Sequence, residues 1–490
     1  MIILQDKKNL IFFPLATIGR DMCGQLFSMA VLNYILFTKQ LSVSQFSVVS
    51  FIIVAARLFD AFNDPFMGTL IDHTKTKIGK FKPWIIAGVL STSVVVYFAF
   101  SNRFIGWGFV KFFALIYFLF SICFTMNDVS YWGMIPSLSS APEMRDKFTS
   151  RTVFTSGMGA AFVTVFVPIL TAGEHVIGGN AVTAYRVLAI IACVASPVTM
   201  MLLCFVKENR GASSVSKNSI SVSGIFRTVF RNDQLKWASV VFFVSQLGTV
   251  PIVNGLGTTY VYFEFGYNGI LATLFVVVGM SSTVVMMLIY PALAKKHSRK
   301  KLVASSMYFM IFGYLWMLLS GIFLPYSSMI KYIFVVIGLA IANVGSYCVN
   351  LICMICISNS IEYNEYKFGV REDGVITSVR PFLTKLSNSF VMLLTSVIYM
   401  LIGVTKITNL ISDVENRALS GAIDAAEKTD LIQTALSNVK NSQTFWLLFS
   451  MSVIALSMGF ACCMIFKKKY TLDEDEYVRI VEELNRRKIE

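Results

Sequence analysis

The sequence predicts an all-α polytopic membrane protein, with twelve transmembrane helices arranged as two pseudo-symmetric six-helix halves. Three observations predict it. First, hydrophobic residues make up 56% of the 490 residues and charged residues only 14%, against ~25% charged in soluble domains; the mean hydropathy is +0.67. Second, the apolar residues fall in runs of about 20 or more, the length that crosses a ~30 Å hydrocarbon core at 1.5 Å per residue. Third, Lys and Arg collect in short segments between those runs, where they act as topology signals. That distribution makes the net charge of +14 a membrane feature and argues against a nucleic-acid partner.

Spans are expected at 11–38, 44–70, 84–101, 107–135, 152–172 and 183–206, then at 237–263, 268–294, 302–323, 329–360, 375–403 and 442–466. Backbone groups in lipid must be satisfied within the segment, so each span is a helix. The first run is long, holds Arg20 and Asp21 and lacks a small-residue cleavage site, so it reads as a span and not a cleavable signal. The chain thus divides into an N-terminal half (1–206), a polar cytoplasmic linker (207–236), a C-terminal half (237–466) and a tail (467–490). Basic loops follow the second span (Asp72 to Lys77) and the eighth (Lys295 to Lys300). Their matching places suggest an internal duplication, a plan that sets a binding site between two halves. With alternate loops cytoplasmic, starting from Lys7 and Lys8, nearly all basic loops fall on one side. Both termini are then cytoplasmic and the protein is multi-pass in the plasma membrane. The long loop 404–441 is read as holding a short amphipathic helix around Asn416–Leu436, and the charged tail as a solvated helix. The nine cysteines lie in or beside apolar runs, and Cys353-x-x-Cys356 reads as small residues on one helix face, not as a redox or metal pair.

Charges within apolar runs carry the functional information, since each costs about 2.5–3.5 kcal/mol at mid-membrane on insertion scales. The second span holds Arg57, Asp60, Asn63 and Asp64. Asp60 and Asp64 lie about 40° apart on one helix face, one turn from Arg57. Two carboxylates this close stay ionised only with help: one is protonated, or a cation sits between them. Oxygen ligands at that spacing suit a hard cation such as Na⁺, or a proton in its place. The plainer alternative is a structural Arg57–Asp60 pair with Asp64 ending the helix. In the fourth span Thr125, Asp128 and Trp132 share a face. A hydroxyl, a carboxylate and an indole can line a polar cavity of the kind that takes a sugar; Trp132 alone also reads as an interfacial anchor. Arg20 and Asp21, adjacent and thus about 100° apart, are each expected to have another partner. Arg151 serves as a topology anchor or a pocket residue. In the eleventh span Lys385 is a counter-ion for the carboxylates of the first half. Arg380, about 140° round from Lys385, faces a carboxylate-bearing substrate or Glu362 and Glu365; the latter is the plainer choice.

The stretch from Arg57 to Trp84, together with Asn127-Asp-Val-Ser-Tyr-Trp-Gly-Met-Ile-Pro136 and Glu362-Tyr-Asn-Glu-Tyr-Lys-Phe-Gly-Val-Arg-Glu-Asp-Gly374 followed by Lys385, resembles the glycoside-pentoside-hexuronide:cation symporters. That family belongs to the major facilitator superfamily. The resemblance covers essentially the whole chain. It implies a cation site of Asp60, Asn63, Asp64 and Thr125, with Asp60 and Asp64 as direct ligands if the ion is Na⁺. It implies a sugar pocket of Asp21, Asp128, Trp132 and Arg151, with Arg20 beside it. Asp128 and Lys385 match positions shared by cation and sugar. Arg380 departs from the family pattern, where an uncharged amide occurs, and makes an anionic glycoside such as a glucuronide a candidate substrate.

The expectation is therefore a symporter that imports a sugar or glycoside with Na⁺, H⁺ or Li⁺, acting as a monomer with no resident cofactor. Alternating access would be latched on the cytoplasmic side by basic loops and by Glu362, Glu365 and Arg371. A rival of the same fold carries an amphipathic or lipid-like substrate. An enzymatic rival, an aspartate-rich membrane prenyltransferase site at Asn63, Asp64 and Asp72, lacks the further aspartate one turn on, because position 67 is Met67.

Overall fold

A computed structural model describes residues 2–139, 142–207, 222–439 and 441–489; part of the expected linker, 208–221, lies outside them. The regular secondary structure of the described residues is helical. Ten helices among them are long and apolar enough to cross a membrane, from Val43–Asp60 to Asn441–Lys469. The first and seventh expected spans run as interrupted helices. The first passes through Ile2–Leu15, Thr17–Gln25, a π-helical turn at Leu26–Ala30 and Val31–Thr38. The seventh passes through Asp233–Pro251, a π-helical turn at Ile252–Leu256 and Gly257–Phe265. The hydropathy pattern is blind to these breaks, because a π turn keeps the apolar composition and changes only which carbonyl each N–H meets.

The chain forms two compact units. One comprises 1–219 with 267–273 and 403–438, and the other 220–266, 274–402 and 439–490. Two short stretches that lie late in the sequence thus pack with the first unit. Loop 404–441 contains two helices where one was expected, Val404–Leu419 and Ala425–Ser437. Gly421, at φ +72°, turns the chain between them, and the Asp424 carboxylate caps the second by accepting from Glu427 N at 2.8 Å. The pair docks on the first unit. Asn409 donates to the Leu41 carbonyl at 2.8 Å, and the Ala181 N–H donates to the buried Glu415 carboxylate at 2.7 Å. Lys428 reaches Glu415 at 3.0 Å.

The Val43–His73 helix begins at a reciprocal cap, in which Ser42 accepts from Gln45 N and Gln45 Oε1 accepts from Ser42 N, at 3.2 and 2.9 Å. The Thr17–Gln25 segment is clasped through glycines. A Cβ on Gly19 would lie 2.3 Å from the Ala195 carbonyl oxygen, and one on Gly159 would lie 2.3 Å from the Ile18 carbonyl oxygen. Such close backbone approach is how helices associate in lipid, where apolar area gives no net drive. It fixes the rotation of the segment that carries Arg20 and Asp21.

In the second unit the tail helix, Glu474–Ile489, is not simply solvated. Leu472, Ile480 and Leu484 are buried in the same apolar cluster as Cys353, Cys356 and Phe466. Glu474 pairs with Arg299 at 3.5 Å and Asp473 with Lys300 at 3.2 Å. The charged outer face masked this spaced apolar stripe in the sequence. The cysteines are unbridged thiols.

Candidate functional site

One stripe of the Gly106–Leu138 helix organises the first unit's polar interior. Ser121, Thr125, Asp128 and Trp132 fall within an arc of about 60°, and each meets a polar partner from a neighbouring helix or lies close to one. Ser121 donates to Asp60 Oδ1. Thr125 donates to Asp64 Oδ1 at 3.2 Å. Asp128 lies 3.3 Å from Arg20. Trp132 has the Arg20 guanidinium 5.9 Å from its ring centre.

Arg20 is the hub of the lower group. It is 3% exposed and bridges Asp21 at 2.8 Å and Asp128 at 3.3 Å, with its guanidinium 4.8 Å from the Tyr131 ring centre. The adjacent Arg20 and Asp21 therefore do pair, contrary to the angular argument, because the long arginine side chain swings round the helix. Each also has a second partner: Asp128 for Arg20 and the Thr17 hydroxyl for Asp21. Tyr131 is held in turn by donating to the Phe13 carbonyl.

The upper group is built on the Val43–His73 helix. Arg57 lies 3.7 Å from Asp60 and over the ring of Tyr117. Asp60 is buried at 5% exposure and Asn63 at 8%. The Asn63 amide nitrogen has no hydrogen-bond acceptor among the described residues, and a buried donor of this kind costs about 1–3 kcal/mol unless a ligand or water meets it. Asp64 does not end its helix, which continues for nine further residues to His73. The carboxylates of Asp60 and Asp64, the Asn63 carboxamide and the hydroxyls of Ser121 and Thr125 thus sit on two helices joined by two hydroxyl–carboxylate bonds, and oxygen donors of this kind are the hard set that suits a small cation or a proton.

The remaining expected residues are placed elsewhere. Arg151 is exposed and donates to the Leu10 carbonyl at 3.2 Å. In the second unit Lys385 is half-buried and Arg380 exposed on the Asp373–Ile402 helix. Arg371, not Arg380, takes both glutamates, Glu365 at 2.8 Å and Glu362 at 3.5 Å. Gly369 ends the preceding helix in the left-handed conformation, φ +69°, and the chain folds Arg371 back over the last turn. The guanidinium is held protonated well above its ordinary range, chiefly by bonds to Asp373 and Glu365. Sequence reasoning missed Thr17, Ser121, Tyr117 and Tyr131. Two of these had a readable signal: Thr17 sits four residues before Asp21, and Ser121 four before Thr125, each on the face of its functional neighbour.

Comparison with known proteins adds four findings. The family model described as MFS/sugar transport protein matches residues 18–421. The chain is 28% identical to a lactose permease of Leuconostoc lactis, over 90% of this chain and 64% of that protein. It is 26% identical to a raffinose carrier protein of Pediococcus pentosaceus, over 91% and 66%. The chain therefore spans less than two thirds of the length of these relatives. In structure it resembles a D-xylose-proton symporter, with TM-score 0.59 at 15% identity, covering 96% of this chain and 98% of that one; this likeness speaks to the fold.

Proposed function

From the chain's membership of the MFS/sugar transport protein family, we propose that it is a cation-coupled symporter that imports a sugar or glycoside by alternating access, with both termini in the cytoplasm. The observation that carries this reading is the single helix stripe that joins the two polar groups: Ser121 and Thr125 hold Asp60 and Asp64, and Asp128 and Trp132 lie at Arg20. Asp21 and Asp128 accept from sugar hydroxyls, Trp132 covers the apolar face of a pyranose, and Arg20 orients both carboxylates through its ion pairs. The cation, Na⁺ or H⁺, is a co-substrate at Asp60, Asn63, Asp64 and Thr125. Binding there fixes Thr125, and the helix that bears Thr125 also bears Asp128. Sugar and cation then tighten each other's binding by the same factor. In the second half, Lys385 and Arg380 supply positive charge to the transported sugar, and Arg380 favours an anionic glycoside. Arg371 with Glu362 and Glu365 acts as a cytoplasmic latch. The names of the lactose and raffinose relatives support a di- or trisaccharide-sized substrate.

The test is uptake into membrane vesicles of two matched glycosides, one neutral and one a glucuronide, with and without an imposed Na⁺ or pH gradient. Accumulation that collapses with the gradient is the expected result, and the preferred glycoside reports whether Arg380 reads charge. Failure to accumulate either glycoside under either gradient would sink the reading.

A further inference from the structure

The first unit carries a cavity of about 1400 Å³ away from both polar groups, between the Lys82–Ser101 helix, the end of the Ala181–Phe205 span and the loop 74–80. Its two ends differ in chemistry. One end is rimmed by Lys75, Lys77, Lys80, Lys82 and Lys207. The other is floored by Ile86, Leu90, Met201 and Cys204, all exposed side chains on membrane-spanning helices. Two of the lysines are engaged: Lys80 pairs with Asp72 at 2.9 Å, and Lys82 donates to the Val206 carbonyl at 2.6 Å, tying the rim to the helix end. Lys75, Lys77 and Lys207 have no carboxylate within ion-pair distance among the described residues. The loop is held in shape by Trp84 donating to the Thr74 hydroxyl at 2.8 Å and by Thr76 donating to the Gly79 carbonyl at 2.6 Å, with Gly79 at φ +105°.

We propose that this cavity is a binding site for an anionic phospholipid, with the phosphate-bearing headgroup among Lys75, Lys77 and Lys207 and an acyl chain along Ile86, Leu90 and Met201. Charge complementarity and the apolar floor together select this occupant. Basic pockets between spanning helices at the membrane surface take anionic headgroups, and a soluble anion would leave the lipid-facing floor uncovered. The volume exceeds the ~300–1,000 Å³ of a small-molecule pocket and suits a headgroup with the first acyl segments. The inference rests on the chain's being a membrane protein and is independent of which sugar or cation it carries.

Cys204 supplies the readout, since it is the exposed cysteine of the described nine. The purified full-length protein in detergent is treated with a maleimide in the presence of phosphatidylglycerol, phosphatidylcholine, inorganic phosphate or glycerol 3-phosphate. Phosphatidylglycerol is expected to slow alkylation of Cys204, and the other three to leave it unchanged. The triple variant Lys75→Gln, Lys77→Gln, Lys207→Gln is expected to lose the preference for phosphatidylglycerol by about fivefold per lysine. The pair Lys295→Gln, Lys296→Gln, in the matching loop of the other unit, is expected to keep it. Should the triple variant fail to fold, Met201→Trp, which fills the floor and leaves the charges, is expected to abolish protection by lipid. Equal protection by both phospholipids, protection by either soluble phosphate, or equal loss in both lysine variants would overturn the proposal.

Discussion

The first spanning helix of each unit breaks at a matching place, yet the two breaks carry different chemistry. In the first unit the π turn Leu26–Ala30 follows Arg20 and Asp21, which are tied to Asp128. In the second, the turn Ile252–Leu256 is followed by buried neutral hydroxyls, with Thr259 2.7 Å from the Tyr399 hydroxyl. That helix carries its carboxylates near its ends, Asp233 bonded to Lys367 and Glu264 to Lys331. In transporters built from sequence repeats, helices interrupted at corresponding places are a pointer to the cargo site. The difference between them teaches that a backbone interruption can recur while the buried ionic cluster beside it, Arg20 with Asp21 and Asp128, belongs to one of the two helices alone. In the second copy, much of the charge is used to fasten helix ends.

That contrast can be broken or sharpened by substitution. The largest effect is expected for Arg20→Met, which leaves Asp21 and Asp128 without their shared cation. Loss of a buried ionic partner costs about 3–5 kcal/mol, so sugar uptake should fall by two orders of magnitude or more. Uptake within a few-fold of the unsubstituted protein would remove Arg20 from recognition. Lys331→Met breaks an equally buried pair, in which Glu264 is fully covered and 2.5 Å from the lysine. Here about 3–5 kcal/mol should leave stability while the sugar KM of the surviving protein stays put. A changed KM would mean that the second unit's ion pairs also read substrate. Asp64→Asn should raise the cation concentration for half-maximal uptake by about ten- to a hundredfold, the worth of a charge-assisted bond. Full gradient-driven accumulation in that variant would overturn the cation assignment. Tyr399→Phe should cost about 1 kcal/mol of stability without altering cation dependence, seen as a small fall in melting temperature.

The smallest expected effect concerns the tail. The Asp473 carboxyl is held below its ordinary range, first by the Glu476 N–H and then by Lys300. A depressed carboxyl stabilises the docked tail above the unfolded value of about 3.9, and that contribution is lost as pH falls through the lower folded value. A fluorophore on the tail should report docking unchanged from pH 8 to pH 5 and release only below about pH 4. Release near neutrality would assign the docking to some other group.

Much of this was legible in the sequence. Long apolar runs and the basic loops gave the helices, because lipid forces both. The i, i+3 and i+4 spacings gathered Asp60 with Asp64 and Thr125 with Asp128, since a helix converts spacing into direction. What escaped depended on contacts between helices or on local backbone geometry. Arg20 meets Asp128 across a helix contact, in a segment whose backbone is approached closely at Gly19 and Gly159. Arg371 displaces Arg380 at Glu362 and Glu365 because of one left-handed glycine. The tail's buried stripe of Leu472, Ile480 and Leu484 hides among charges, and neither π turn leaves a mark in composition.

The two docked stretches, 267–273 and 403–438, change what it means to cut this chain. The polypeptide passes between its units at 219/220, 266/267, 273/274, 402/403 and 438/439, so the linker is one of five covalent crossings. A gene split within 208–221 would yield an amino-terminal fragment and a carboxy-terminal fragment that already carries pieces of its partner's body. Asn409 at the Leu41 carbonyl, Glu415 at the Ala181 amide and Lys428 at the Gly179 carbonyl would serve as the adhesive. Co-expressed fragments should copurify without any covalent join, and should come apart when Glu415→Ala and Asn409→Ala are combined.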